Sequence, residues 1–481
     1  MQQLRTIFSP RDMTRGKPWK RIVEFAFPML VGNIAQQLYS STDSAVVGRY
    51  VGDNALASVG STGAIIFFLI ALFVGISTGA GIVVAQSFGA RDRKRLSITI
   101  GNCITLNVIT SIIMMVMGVV LARPLLLLLN TPAEIIDNAV IYLKITFLGI
   151  IGLTYYNILS GILRGLGDSF SALGFLLLAS GLNIVLDLWF VISFGWGVAG
   201  VAIATVLSQS ISAILCFLKL KGMKDAFYIS RQTLRLHRDT VRDILRLGMP
   251  AGITQAIFSM AMLLVQPLQN SFGPAFVATA IIAMRLDNFA MMPNFSFGMA
   301  MTTYTGQNIG AGKLDRAQLG AKQGTLLAVG VAIVMTIAVL IFGRAIMSLF
   351  TKTEAIIDTG MRLIRILSLG FIGMAVTQSL SGVMRGAGDA VTPMWISILV
   401  SVVLRVPLSY LLVSLSKTPD NPLGRPEALY YAMLATWLAG AVINVLGYRF
   451  GSWRKKARKR MEDFGIPVAE GLADTMLSSV E

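Results

Sequence analysis

Two aspartates sit in stretches apolar enough to cross a bilayer: Asp43, within residues 28–48, and Asp187, near the end of the run from 170 to 193. An ionised carboxylate at that depth is costly, so such a residue is a functional candidate by default. With one residue every 100°, Asn33, Gln36, Gln37, Ser40 and Asp43 fall within about 120° of one another on a helix. That stripe must face protein or a wet cavity rather than lipid. In the run from 170 to 193, Ser180, Asn183 and Asp187 share a face, and Thr205, Ser208, Gln209 and Ser212 form a third polar stripe. Two carboxylates among neutral amide and hydroxyl oxygens make a hard donor set suited to Na+. Two desolvated, mutually repelling carboxyls with no Lys or Arg on those three helices can equally hold a proton near neutral pH. Residue type does not choose between Na+ and H+. The bland alternative is an interhelical hydrogen-bond seam, but a seam needs no charge.

The second half of the chain offers a different surface. Gln255, Ser259, Met262, Gln266 and Gln269 lie on one helical face, and Met284, Asp287, Met291, Asn294, Phe295 and Gly298 on another. Methionine and phenylalanine give an adaptable apolar wall, and one carboxylate favours cationic solutes. The competing reading is core packing for the methionines and a buried ion pair of Asp287 with Arg285 or Arg405. Pro28, Pro250, Pro267, Pro293 and Pro407 lie inside apolar spans, where they free backbone carbonyls and permit bending.

The elements that position these residues are membrane helices. The 481 residues are 55% hydrophobic and 14% charged, with a mean hydropathy of +0.71, too apolar for a soluble multidomain protein. Apolar spans run near 23–47, 54–86, 98–121, 134–160, 170–193, 197–219, 245–269, 275–306, 322–344, 360–384, 393–415 and 428–449, which predicts an all-α integral membrane protein of twelve transmembrane helices. Two cysteines in separate apolar runs, Cys103 and Cys216, provide neither a disulfide framework nor a metal site and are expected to pack. The net charge of +17 resides in loops beside the spans, so it reads as a topology signal and not as nucleic-acid binding. Lys and Arg concentrate at the N-terminal stretch, the even-numbered loops and the segment after Arg449, which predicts both termini in the cytoplasm. Met1 to Arg21 leads directly into a span with no cleavage pattern, so the first helix is expected to stay as an anchor. Arg231, Arg235, Arg238 and Arg242 are spaced as on an amphipathic helix lying on an anionic leaflet, or as a plain solvated linker. The sole histidine, His237, falls in this linker, outside the membrane.

A shift of 221 residues superposes Gln86, Gly89 and Ala90 on Gln307, Gly310 and Ala311, Arg123 on Arg344, and SGILRGLGD (160–168) on SGVMRGAGD (381–389). Each copy holds six spans, an even number, so two parallel, pseudo-symmetric six-helix bundles follow. The expected divisions are a cytoplasmic N-terminus at 1–21, a first lobe at 22–218, a cytoplasmic linker at 219–246, a second lobe at 247–450 and a cytoplasmic tail at 451–481. In the RGxGD turns the glycines allow a tight turn, with Arg164 paired to Asp168 and Arg385 to Asp389 across it. The same shift sets Leu264, Leu404 and Leu408 opposite Asp43, Asn183 and Asp187, so the carboxylates belong to the first copy alone.

PMLVGNIAQQLYSSTDSAVVGRYVG from Pro28, the QSFGARD and QNIGAGKLDR loops, the LRG and MRG turns, and NIVLD followed by GVAGVAIATVLSQ resemble, in that order, the multidrug and toxic compound extrusion (MATE) family over roughly residues 20–450. The resemblance implies two lobes that open alternately to either side and export amphiphilic or cationic organic compounds against Na+ or H+ entry. It implies a cation-coupling site at Asp43, Asn183, Asp187 and Thr205, with Tyr39, Asn157 and Gln37 near it and a bend at Pro28. Relatives with acidic residues in helices seven and ten find no match here, where TQAIFSMAM and GMAVTQSLS carry no carboxylate. The expected partners are small-molecule substrates and the lipid bilayer of the cytoplasmic (inner) membrane. A monomer with no covalent cofactor is expected. A lipid-linked oligosaccharide flippase of nearby fold would want cationic grooves, whereas the intramembrane charges here are mainly acidic. An intramembrane enzyme lacks its motifs, with no HExxH or GxSxG in the chain.

Overall fold

The computed structural model describes residues 9–129 and 131–466, and among them there is helix and no strand. The first six crossings are α1 (Pro18–Val46), α2 (Asp53–Gly89), α3 (Arg93–Leu128), α4 with α5 (Ala133–Leu148 and Ile150–Gly165), α6 (Ser169–Ser193) and α7 (Gly197–Lys221). The next six are α8 (Arg238–Asn270), α9 (Pro274–Gly310), α10 (Leu314–Ser348), α11 (Glu354–Gly386), α12 (Val391–Leu415) and α13 (Glu427–Phe450). A basic helix, α14 (Trp453–Glu462), follows. Nine of these helices are long and apolar enough to span a bilayer unaided, and α4 with α5 makes a tenth, bent by 52°. The bend falls at Gly149, where a Cβ would collide with Val206 of α7. The two remaining crossings are α1, whose polar stripe dilutes its apolar content, and α2.

The two six-helix bundles meet along α2, α8 and α9. A Cβ on Gly75 would lie 2.6 Å from the Gly248 carbonyl oxygen and 2.7 Å from the Gly252 Cα, so α2 and α8 cross backbone to backbone. Nearer the face that carries the termini, the repeated glutamines and glycines interlock. Gly89 abuts the carbonyl of Gln307 and Gly310 that of Gln86, each too closely to admit a side chain. Gln86 Nε2 donates to the Gly386 carbonyl at 2.9 Å and Gln307 Nε2 to the Gly165 carbonyl at 3.1 Å, each glutamine reaching the glycine-rich turn of the opposite bundle. Their remaining amide oxygens accept from terminal segments, Gln307 from the Met13 N–H at 2.9 Å and Gln86 from Arg460 Nε at 2.7 Å. Among the described residues, the deepest hydrogen bond between the bundles joins Asn33 to Ser296 at 3.0 Å, near mid-span. The bundles are therefore clamped on the terminal face and untied by hydrogen bonds beyond mid-span.

Three expectations are corrected here. Arg164 does not pair with Asp168: its guanidinium donates to Ser160 Oγ at 2.7 Å, while Asp168 caps α6 by accepting from the Ser171 N–H and hydroxyl. Asp389 caps α12 through Thr392 and holds Lys456 at 2.7 Å in place of Arg385. The linker is not a continuous amphipathic helix. It forms one turn over Arg231–Leu234, then extends to His237, because Asn102 and Thr105 of α3 take the carbonyls of Thr233, Leu234 and Arg235. Cys103 and Cys216 are free and buried, as packing residues should be.

Candidate cation site and second-bundle cavity

The polar stripe of α1 divides into three parts with different fates. Asn33 is used at the bundle interface. Ser40, Ser41, Thr42 and Ser44 each return a hydroxyl to the carbonyl four residues earlier, at 2.9 to 3.1 Å, so helix geometry itself satisfies them. Tyr39 and Asp43 remain, one turn apart, and both turn toward α6 and α7. Gln37 stays half-buried, its amide making no hydrogen bond among the described residues.

On α6, Asn183 and Asp187 are fully buried. Asn183 Nδ2 donates to Thr205 Oγ1 on α7 at 3.3 Å and reaches Asp187 Oδ1 at 3.5 Å, while Tyr39 OH lies 3.4 Å from the same Thr205 hydroxyl. The carboxyls of Asp43 and Asp187 face each other within hydrogen-bonding reach. Three oxygens of this group, Asp43 Oδ1, Asn183 Oδ1 and Asp187 Oδ2, are buried without a partner. Unpaired buried oxygens are expensive, and three on neighbouring side chains are a donor set that a small hard cation would satisfy. Alternatively, a proton held between the carboxyls removes their repulsion.

Tyr142 on α4 is buried in the neighbourhood of Asp43, Tyr39 and Asp187. Sequence reasoning missed it, since a single tyrosine in an apolar run carries no periodic signal. Asn157 on α5 donates to the Leu153 carbonyl at 2.8 Å and hydrogen-bonds neither carboxylate. Pro28 is buried inside a continuous α1, where its missing N–H leaves the Glu24 carbonyl without its helical donor.

The methionine wall in the second bundle also divides. Met262 and Met284 are exposed, as is Gln255, with Ser259 half-buried beside it. Met291 is 4% exposed and packs in a core with Phe371, Met374 and Trp437. Asp287 is 9% exposed, and its Oδ1 has no hydrogen-bond partner. Arg285 turns away to cover the Phe350 ring at 5.4 Å, which removes one of the two expected partners. Arg405 is the cation whose field Asp287 feels, without ion-pair contact, and Tyr430 shares the cluster. Arg405 opens the α-helical segment that follows a π-helical stretch, Leu399–Leu404, and such a widened turn re-aims the residues after it.

The MatE family model matches residues 28–189 and again 250–411, one match in each bundle. Among curated proteins, the chain is 27% identical over 458 residues to "Probable multidrug resistance protein YoeA" of Bacillus subtilis, covering 93% of this chain and 97% of that one. It is 26% identical over 454 residues to "Probable multidrug resistance protein NorM" of Thermotoga maritima, covering 93% and 96%. A solved structure described as the outward-facing conformation of a multidrug resistance MATE family transporter of the MOP superfamily superposes with a TM-score of 0.83 at 24% identity, covering 94% of this chain and 98% of that one. With both copies of the repeat matched and the twelve-helix fold shared end to end, the chain belongs to the MatE family of multi-pass membrane transporters.

Proposed function

We propose that this transporter is a cation-coupled antiporter of amphiphilic, cationic organic compounds, exporting them in exchange for Na+ or H+ by alternating access. The observation that carries this reading is the cluster of unpaired buried oxygens from Asp43, Asn183 and Asp187, with Thr205 and Tyr39 beside them and, among the described residues, no ion pair to either carboxylate. A bound cation or proton relieves their desolvation and repulsion, so the loaded and empty states favour different packings of α1 against α6 and α7. Coupling then needs only that the exported solute favour the opposite packing. Where the site holds Na+, Asp43, Asn183, Asp187 and Thr205 supply its oxygens.

In this reading the terminal face is cytoplasmic and the membrane is the inner membrane, in keeping with the basic residues gathered there. The clamped face is then closed to the cell interior. The exposed Gln255, Met262 and Met284, with half-buried Ser259, face the solute path, and Asp287 biases it toward cations. The test is efflux of a fluorescent organic cation from cells lacking their own pumps. Asp43→Asn with Asp187→Asn should abolish efflux, and wild-type rates in the double variant would disprove the mechanism. Proteoliposomes with independently imposed Na+ and pH gradients then decide the ion.

A further inference from the structure

The second bundle forms an open cavity of about 1180 Å³ on the face opposite the termini. Its walls come from α9, α11, α12 and α13, the repeat counterparts of α2, α4 with α5, α6 and α7; of those, α6 and α7 carry Asp187 and Thr205 of the first bundle's site. The chemistry is reversed. Arg362 and Arg365 on α11 and Arg425 in the loop before α13 line it, against a single lining carboxylate, Glu427. Glu427 holds Arg362 at 3.9 Å, and Arg362 also donates to Thr359 Oγ1 at 3.1 Å. The guanidinium groups of Arg365 and Arg425 make no ion pair or hydrogen bond among the described residues. Arg365 stands about 16 Å along α11 from its first residue, at 1.5 Å per residue. The apolar span opens near residue 360, so only about 7 Å of this lies within it, and the side chain is exposed to the cavity; an anion bound there would offset the cost of a guanidinium at that depth.

The remaining wall is mainly apolar and aromatic, with Phe272, Phe276, Leu412 and Tyr431, and Ser416 and Asn421 add neutral polar groups. The space exceeds the roughly 300–1,000 Å³ typical of a drug-sized pocket. Arginine presents a planar fork that matches carboxylate and phosphate oxygens, and two unengaged forks at the head of an apolar chamber define an amphiphile of negative charge. We infer that this cavity is a binding site for an organic anion with an apolar tail, its phosphate or carboxylate head held between Arg365 and Arg425 and its chain laid on the aromatic and aliphatic wall. The inference does not depend on the antiport reading, because none of its residues belongs to the cation site.

The experiment uses the full-length transporter in phosphatidylcholine nanodiscs, with radiolabelled decyl phosphate as ligand, decyltrimethylammonium as same-chain control and empty nanodiscs as the partition blank. Wild type should bind decyl phosphate saturably and at least about tenfold more tightly than the quaternary amine. Arg365→Gln with Arg425→Gln should weaken decyl phosphate at least about tenfold, while Arg365→Lys with Arg425→Lys, which keeps the charge and loses the fork, should weaken it less than the glutamine pair does. Glu427→Gln should tighten binding. Native mass spectrometry after exchange into phosphatidylglycerol distinguishes the source: lipid retained by wild type and lost from the glutamine variant makes the occupant a membrane phospholipid, and binding of decyl phosphate without lipid retention makes it a soluble amphiphile. Equal affinity for the two head groups, or undiminished decyl phosphate binding in a folded glutamine double variant, overturns the proposal.

Discussion

In the first bundle two carboxyls, Asp43 and Asp187, face each other, with no cationic side chain in ion-pair contact among the described residues. In the second, Asp287 sits in the field of Arg405, and the cavity above carries three arginines. The backbones are repeats of one another, yet Leu264 and Leu408 replace the first bundle's carboxylates, and Ile66 stands where the second has Asp287. Of the three cavity arginines, only Arg365 has a cationic counterpart, Lys144. Apart from Arg365, whose counterpart is Lys144, each of these positions is apolar in one copy, so the scaffold folds without a charge there and those charges answer to something other than packing.

The strongest way to break this comparison is to give the first bundle the residues of the second. Asp43→Leu with Asp187→Leu should fold, since the repeat tolerates leucine at both places, and its thermal midpoint should equal or exceed that of wild type because two repelling, desolvated groups are gone. Gradient-driven efflux should fall about 100-fold, near the upper end of the usual range of coupling between two sites. Unfolding can be followed by the reaction of a thiol dye with buried Cys103 and Cys216. A variant that misfolds would instead make the carboxylates structural.

Most of this contrast is legible in the sequence because burial in a membrane makes charge informative. Asp43, Asp187 and the 221-residue shift need no coordinates, and helical spacing brings Asn183 to Asp187. What spacing cannot supply is how a polar side chain is satisfied. The serines of α1 look like ligands and are bonded to their own helix, Asn33 belongs to the bundle interface, and Met291 faces a core. Arg164 and Asp168 are four residues apart in the RGxGD turn, yet the aspartate caps the next helix because the N–H groups at its start are nearer and otherwise unpaired. The arginine cavity escapes sequence reading altogether, since Arg425 lies in a loop far along the chain from Arg362 and Arg365.

The repeat also sharpens through its shared feature. Gly89 and Gly310 make the same contact from opposite sides, each against the backbone of the other bundle's glutamine. Gly89→Val and Gly310→Val should therefore cost the clamped state alike, by about 1–3 kcal/mol of overpacking. That shifts the balance toward an open terminal face by roughly five- to 150-fold. Alkylation of a cysteine placed at Ala85, buried beside Gly306 in the closed form, should speed up equally in both variants. A large effect from one glycine alone would mean the two halves of the clamp are not equivalent.

The smallest expected effect separates the two carboxylate environments most finely. Asp287→Asn keeps the shape of the second bundle and removes one charge that Arg405 already offsets, so efflux should fall by less than about threefold and the coupling ratio should hold, as expected for a charge outside the coupling site. Its thermal cost should depend on Arg405: a double-mutant cycle of Asp287→Asn with Arg405→Gln should return an interaction energy of about 0.5–3 kcal/mol. The same cycle between Asp287 and Arg285 should return close to zero, because Arg285 is engaged on Phe350. If Asp287→Asn instead abolishes exchange while the Arg405 cycle returns nothing, the second bundle also couples, and the division of charge between the bundles is not a division of labour.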